Sequence, residues 1–341
     1  MTGWTYRKGL HDLGDGVFAY LQPDGGWGWS NAGLIADGDR SLLVDTLFDL
    51  KLTGEMLGEM RNAHRAAEAI GTVVNTHANG DHCWGNQLLE GSEIVATRRA
   101  AEEMRELEPP EMAKLMKAAS GAARMGAAGR ALGRLFGALG LSKLSNLIAA
   151  GPFVDRVFAA FDFSGIELVP PDRTFEDQLT LHVGAKTVEL IEVGPAHTRG
   201  DAMVHVVEDR VLFAGDILFI DGHPILWEGP VGNWIQALDR ILAMDLEVIV
   251  PGHGPITDKR GVERLKEYFV QLSAEVEKRF AAGQSPVEAA REIELDGFET
   301  WGDPERLAVN VDSLYRELRG DGERTDVIEL FARMASLATL H

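Results

Sequence analysis

The segment His77-Ala78-Asn79-Gly80-Asp81-His82 brings imidazole, carboxamide and carboxylate donors together directly after the apolar pair Val73-Val74. Three more such groups stand in equivalent places. His197 follows Leu190-Ile191-Glu192-Val193 and the turn Gly194-Pro195-Ala196. Asp216 follows Val211-Leu212-Phe213-Ala214, and His253 follows Val248-Ile249-Val250. Sheet proteins place ligand-binding groups at such strand ends. Imidazole nitrogen and carboxylate oxygen are the donors of a hydrolytic zinc site, which keeps one coordination position open for water. One histidine alone reads more simply as a hydrogen-bonded structural residue. Four histidines and two aspartates, each just beyond an apolar strand, point jointly to metal chemistry. In such a site a metal-activated water is the nucleophile, and Asp81 or Asp216 holds and orients it. Cys83, beside His82, reads as a small buried apolar residue rather than as a reactive thiol.

The elements that must position these groups alternate along the chain. Val17–Leu21, Gly33–Ala36, Ser41–Thr46, Thr72–Asn75 and Ile94–Ala96 read as strands, and 52–69 as a helix. Another helix is expected to start in Trp84–Leu89, with residues 77, 79 and 81 on one side of an extended loop. Residues 98–164 break the rhythm as a helical insertion. From Met112 to Val154 this stretch contains no acidic residue, while Lys114, Lys117, Arg124, Arg130, Arg134 and Lys143 are basic. Strand signals resume at Leu179–Val183, Thr187–Val193, Met203–Val207, Val211–Ala214 and Leu246–Val250, with a helix at Val231–Met244. Residues 258–341 read as a helical extension. Two β/α halves, 1–97 and 165–257, packed sheet to sheet with helices outside, are the expected α/β architecture.

Composition narrows the classes of function. The 341-residue chain is 45% hydrophobic and 25% charged, the balance of a globular protein able to bury a large core. A formal net charge of −20 argues against binding to nucleic acid, which needs a basic surface. The one cysteine excludes an intrachain disulfide and suits a reducing compartment. No apolar segment follows Arg7-Lys8 as in a secretory signal, and no uncharged run reaches the roughly 18 residues of a spanning helix. A cytoplasmic location without stable membrane insertion is therefore expected.

With these residues in order, the chain resembles the metallo-β-lactamase-fold hydrolases, whose hallmark is H-x-H-x-D-H followed by a later histidine, an aspartate and a last histidine. The resemblance covers roughly residues 15–97 and 166–257. It implies a four-layer αββα sandwich. It places His77, residue 79 and His197 around a first metal, and Asp81, His82 and His253 around a second, with Asp216 bridging. Asp45 matches a strand-end aspartate that supports the metal loop. The departure is Asn79, where the family most often has histidine. A neutral carboxamide oxygen is a weaker zinc ligand than imidazole, so the first position is expected to bind more weakly. Three outcomes stay open: two zinc ions with one labile, a single ion, or a fold without catalysis. Iron and manganese suit the same donors.

Candidate substrate contacts are Trp27 and Trp29 in the glycine-rich stretch Gly25–Asn31, and His223 and Trp227 after the Asp216 loop. Each also reads as ordinary packing. In the insertion, Gly129, Gly133 and Gly137 share one helix face and allow close helix contact, so a lid over an apolar substrate or a homodimer interface is expected. Peripheral membrane contact is the weaker reading of its basic residues, because the polar face is thin. The expected activity is metal-dependent hydrolysis of a small, neutral or apolar molecule carrying an ester, thioester, lactone or similar bond. Hydrolytic dehalogenation of a halogenated aromatic is a specific alternative. Iron-dependent oxidoreduction on the same ligands and non-catalytic binding are the competing classes.

Overall fold

Strand β2 (Val17–Leu21) shows how the layers arise. Val17, Ala19 and Leu21 point into one core while Phe18 and Tyr20 point into another, as the two-residue period of a strand dictates. All five are buried, so this sheet is covered on both faces. In the computed structural model, which describes residues 4–320 and 322–339, two sheets pack face to face.

The first sheet has seven strands in chain order: β1 (Gly9–Gly14), β2, β3 (Ala32–Asp37), β4 (Arg40–Val44), β5 (Thr72–Val74), β6 (Glu93–Thr97) and β7 (Arg173–Phe175). The β1–β4 part is antiparallel and the β4–β7 part parallel. The second sheet runs in the order β12 (Val248–Val250), β11 (Val211–Phe213), β10 (Ala202–Val206), β9 (Lys186–Glu192) and β8 (Gln178–Val183). Only β11 and β12 pair in parallel there. The first half therefore extends past the insertion, because β7 completes the first sheet.

Between the sheets lies a core of Val17, Ile35, Val44, Val74, Leu190, Val204 and Phe213, among others. Gly33 makes the close approach possible: a Cβ there would come within 2.2 Å of the Phe213 ring. Helix α1 (Leu50–Ala63) covers the outer face of the first sheet through Leu52, Met56, Leu57 and Met60. It stops where His64 turns extended and its Nδ1 accepts from the N–H of Ala66, so the helix expected over 52–69 is split. A short helical turn, α2 (Gly80–Cys83), and helix α3 (Arg98–Glu103) follow. The insertion is a helical hairpin of α4 (Pro109–Ala138) and α5 (Ser142–Phe158). Its Pro109-Pro110 pair opens a helix, as proline at a first helical position does. A Cβ on Gly133 would sit 3.4 Å from Ile148, so the glycine stripe serves the contact of α4 with α5 within one chain.

The outer face of the second sheet is covered by α6 (Val231–Ala243), α7 (Lys259–Ala281), α8 (Pro286–Glu292), α9 (Leu307–Arg319) and α10 (Val327–Leu337). Helix α10 also packs across α5, tying the extension to the insertion. Helices outside and two sheets inside are the four-layer αββα arrangement. Among the described residues, no helix is long and apolar enough to cross a membrane.

Candidate metal centre and active-site cavity

The strand ends deliver their polar groups to one edge of the sandwich. After β5 the chain bends through Thr76, His77 and Ala78, is extended at Asn79 and then winds into α2. The loop is therefore not extended throughout, as alternation of 77, 79 and 81 suggested. The helical turn is what brings Asp81 and His82, neighbours in sequence, to the same centre. Asp216 enters from the turn after β11. Gly252 leaves room for it, since a Cβ there would lie 2.0 Å from Asp216 Oδ1.

Asp216 is the hub. Its Oδ2 lies 3.7 Å from His77 Nε2, 3.3 Å from His197 Nε2 and 3.4 Å from His253 Nε2. Its Oδ1 lies 3.1 Å from His82 Nε2. Asp81 Oδ2 is 3.4 Å from His253 Nε2 and 4.0 Å from His82 Nε2. All these side chains are buried, and their donor atoms form two overlapping groups, His77–His82–Asp216 and Asp81–His82–His253, each within 4.8 Å.

Every imidazole is committed at its other nitrogen. His82 Nδ1 donates to Asp45 at 2.9 Å, His197 Nδ1 to the Ile225 carbonyl at 2.7 Å and His253 Nδ1 to the Gly25 carbonyl at 3.0 Å. His77 Nδ1 donates to Thr76 Oγ1 at 3.0 Å, whose own hydroxyl donates to Asp45 at 2.7 Å. These bonds fix one tautomer in all four rings and turn every Nε2 lone pair inward, as supporting partners of metal-bound histidines do. His77 Nε2, His82 Nε2 and Asp216 Oδ1 are fully buried yet have no hydrogen-bond partner. A buried polar atom left unpaired costs about 1–3 kcal/mol, so three together call for a ligand. The donor set fits a divalent cation.

The electrostatics agree. Burial pushes the Asp216 carboxyl up, but the surrounding imidazoles, His253 first, outweigh it and hold the group well below the usual carboxylate range. Burial lowers His253, yet Asp216 and Asp81 carry it up to about 9. His82 is likewise raised against its burial, by Asp216, Asp45 and Asp81. His77, buried and beside His82, is lowered. Positive charge is thus favoured on the Asp81–His82–His253 side, where a cation would replace the protons.

Asn79 differs from the rest. Its Nδ2 donates to His197 Nε2 at 2.9 Å. That nitrogen cannot accept from an amide and coordinate an ion at once, so binding there requires the amide to turn and present Oδ1. Asp45, whose carboxylate also accepts from Thr76 N–H at 2.7 Å, adopts a left-handed backbone (φ 61°) that holds β4's end against the metal loop. Cys83 is buried, with its thiol pushed well up by burial and by Asp45 and Asp81, so it is inert packing.

A cavity of about 340 Å³ opens from the centre. Asn79, Asp81, His197, Asp216 and His253 form its polar end. Trp27, Phe48 and Trp84, Met112 and Leu115 of α4, Val154 and Phe158 of α5, and Phe331 of α10 make the apolar walls. Of the expected substrate contacts, Trp27 and Trp227 line it and Trp29 and His223 do not. Trp29 packs on Phe161, with ring centroids 4.7 Å apart. His223 is buried behind the wall, its Nδ1 3.0 Å from Tyr268 Oη. Arg306 lines the cavity unanticipated. It stacks 4.7 Å over Trp27, donates to the His223 carbonyl at 2.8 Å and pairs with Asp303 at 3.0 Å. Arg306 lies outside the motifs that mark the site in the sequence, and only the spacing Asp303–Arg306 hints at a buried pair.

Comparison with known proteins agrees with this geometry. The sequence model of the metallo-beta-lactamase superfamily matches residues 25–253. A hydroxyacylglutathione hydrolase of Rhizobium etli is 33% identical over 121 residues, 32% of this chain and 47% of that protein. The acyl-coenzyme A thioesterase MBLAC2 of Gallus gallus is 24% identical over 108 residues, 30% of this chain and 38% of that protein. The chain thus spans less than half the length of these curated relatives. Among solved structures, a metallo-beta-lactamase from Pontibacter korlensis superposes with a TM-score of 0.52 at 15% identity, covering 77% of this chain and 99% of its own. A variant of the sec-alkyl sulfatase PisA1 reaches 0.62 at 14% identity, covering 93% of this chain and 52% of its own. These two show the fold alone. Since the superfamily model spans most of the sequence and its ligand positions converge in space, the chain belongs to the metallo-beta-lactamase superfamily.

Proposed function

We propose that the protein is a metal-dependent hydrolase of esters or thioesters with an apolar acyl part. The carrying observation is the cavity: metal-ligand candidates form one end, and apolar side chains from both sheets' loops, the hairpin and α10 make most of the remaining walls, with Glu103, Glu106 and Arg306 the charged exceptions. Its volume is in the range of small-molecule sites. A divalent ion, zinc or else iron or manganese, supplies an acidified water and an electrophile for the carbonyl oxygen. The chain does the rest. Asp216 and Asp81 offer carboxylate oxygens that orient a water at the polar end. Asn79 Nδ2, with nothing covalent to contribute, can donate to an oxygen of the substrate. Trp27, Phe48, Phe158 and Phe331 seat the acyl chain and exclude bulk water. Arg306, already neutralised by Asp303, adds no net charge to the lining. The names of two relatives, a hydroxyacylglutathione hydrolase and an acyl-coenzyme A thioesterase, support hydrolysis of an acyl bond.

The test is a panel of p-nitrophenyl esters and acyl thioesters of increasing chain length, assayed with zinc, manganese or iron. We expect kcat/KM to rise with acyl length until the cavity is filled. Higher activity on short, hydrophilic acyl groups would sink the reading. The aromatic walls favour a second substrate class, halogenated aromatics, which halide release from the same panel format would reveal. Iron bound on purification, with redox turnover and no hydrolysis, would assign the site to oxidoreduction instead.

A further inference from the structure

The far end of the α4–α5 hairpin combines two properties that conflict in water. Leu135 of α4 and Leu139 just past its end are 53% and 64% exposed, and Leu141, just before α5, and Leu144 in its first turn are exposed beside them. The same hairpin holds the six basic residues Lys114 to Lys143 without an acidic one between Met112 and Val154, in a chain of net charge −20. All six are exposed, and none has an ion pair or side-chain hydrogen bond among the described residues. Between the hairpin and the end of α10 lies a groove of about 470 Å³. Arg130, Arg134 and Arg156 line it above an apolar floor that includes Pro152 and Phe153. Exposed leucines at the tip and arginines one layer back match an interface with acyl chains below and phosphates above.

We propose that the α4–α5 hairpin docks on the surface of an anionic phospholipid bilayer, leucines entering the acyl boundary and arginines holding the phosphates. Charge segregation sets the orientation. The acidic body is repelled by such a surface, and beyond a Debye length of roughly 8 Å that repulsion is screened. Only the basic hairpin gains by contact. A second copy meeting it tip to tip would instead bring two basic hairpins together. The base of the same hairpin lines the cavity through Met112, Leu115 and Val154, so docking would set the cavity beside the phase that dissolves an apolar substrate.

The test uses the full, metal-loaded chain and sedimentation with vesicles of phosphatidylcholine, alone or mixed with phosphatidylglycerol. The protein should pellet with the mixed vesicles, stay in solution with phosphatidylcholine alone, and be released by salt. Arg130→Ala with Arg134→Ala should weaken partitioning about thirtyfold, at about 1 kcal/mol per cation. Leu139→Ser with Leu141→Ser should abolish it, while the circular dichroism spectrum and metal content stay unchanged. Equal retention by both vesicles, or by neither, overturns the proposal. So does a dimer in sedimentation velocity that the leucine variant dissociates, which would make the tip an interface between copies.

Discussion

The two halves of the candidate metal centre are built to different standards. Around Asp81, His82 and His253 the ring nitrogens are turned inward by hydrogen bonds, and two carboxylates balance a divalent charge. Around His77 and His197 the scaffold is as well ordered, yet the third donor is an amide that occupies His197 Nε2 with a hydrogen bond. Orientation of ligands and strength of ligands are thus separate properties. Asn79 leaves a position whose scaffold is intact without a third imidazole.

That contrast can be broken most severely through His82, which belongs to both donor groups. His82→Ala should cost more than about a hundredfold in metal affinity, beyond the loss a supporting residue gives, and should abolish hydrolysis. His77→Ala should leave one ion bound. Competition titration with a chromogenic chelator measures both, and equal losses would erase the distinction. Asp45→Asn comes next. It replaces the acceptor shared by His82 and Thr76, and metal affinity should fall about 10–100-fold while the fold persists. Asn79→His should raise the zinc content from about one ion per chain to about two, because imidazole supplies the missing donor. Elemental analysis showing about two in both proteins would contradict the weak first position.

The smallest effect concerns the loop that carries His197. Asp201 is buried and accepts from the N–H groups of Ala196 and Thr198 and from the Thr198 hydroxyl. Burial, opposed by these donors, lifts its carboxyl from 3.8 to about 8. Between those values the folded chain keeps a proton that the unfolded chain has lost, so stability falls as pH rises through that window. Thermal melts of the metal-free protein should show the parent losing ground to Asp201→Asn between about pH 4 and pH 8. A constant difference would place the ionised carboxylate in the folded state throughout.

Much of this was legible in the sequence, for identifiable reasons. Apolar strands followed at once by histidine or aspartate marked the residues that gather around Asp216, and two-residue alternation marked the buried strands. Other elements left weaker traces. β1 has few apolar residues, and β7 has only three residues, two of them exposed, so backbone pairing rather than side-chain pattern defines both. Gly80 reads as loop, yet it opens the turn that delivers Asp81 and His82. His223 looked like a cleft residue because of its place after the Asp216 loop, but Tyr268 and Arg306, distant in sequence, claim it. The glycines of α4 announced a close helix contact without naming the partner, which is α5.

The hydrogen bonds behind the four imidazoles have a further consequence. Their acceptors are Gly25, Asp45 and Thr76 from the first half and Ile225 from the second, and His253 of the second half leans on Gly25 of the first. No half can prepare the centre by itself, so an ion that binds it also staples the two sheets together. Occupancy then adds to unfolding free energy as RT ln(1 + [L]/Kd), about 2.7 kcal/mol at a hundredfold excess over Kd. Metal supply would thereby govern how long the protein lasts as well as whether it works.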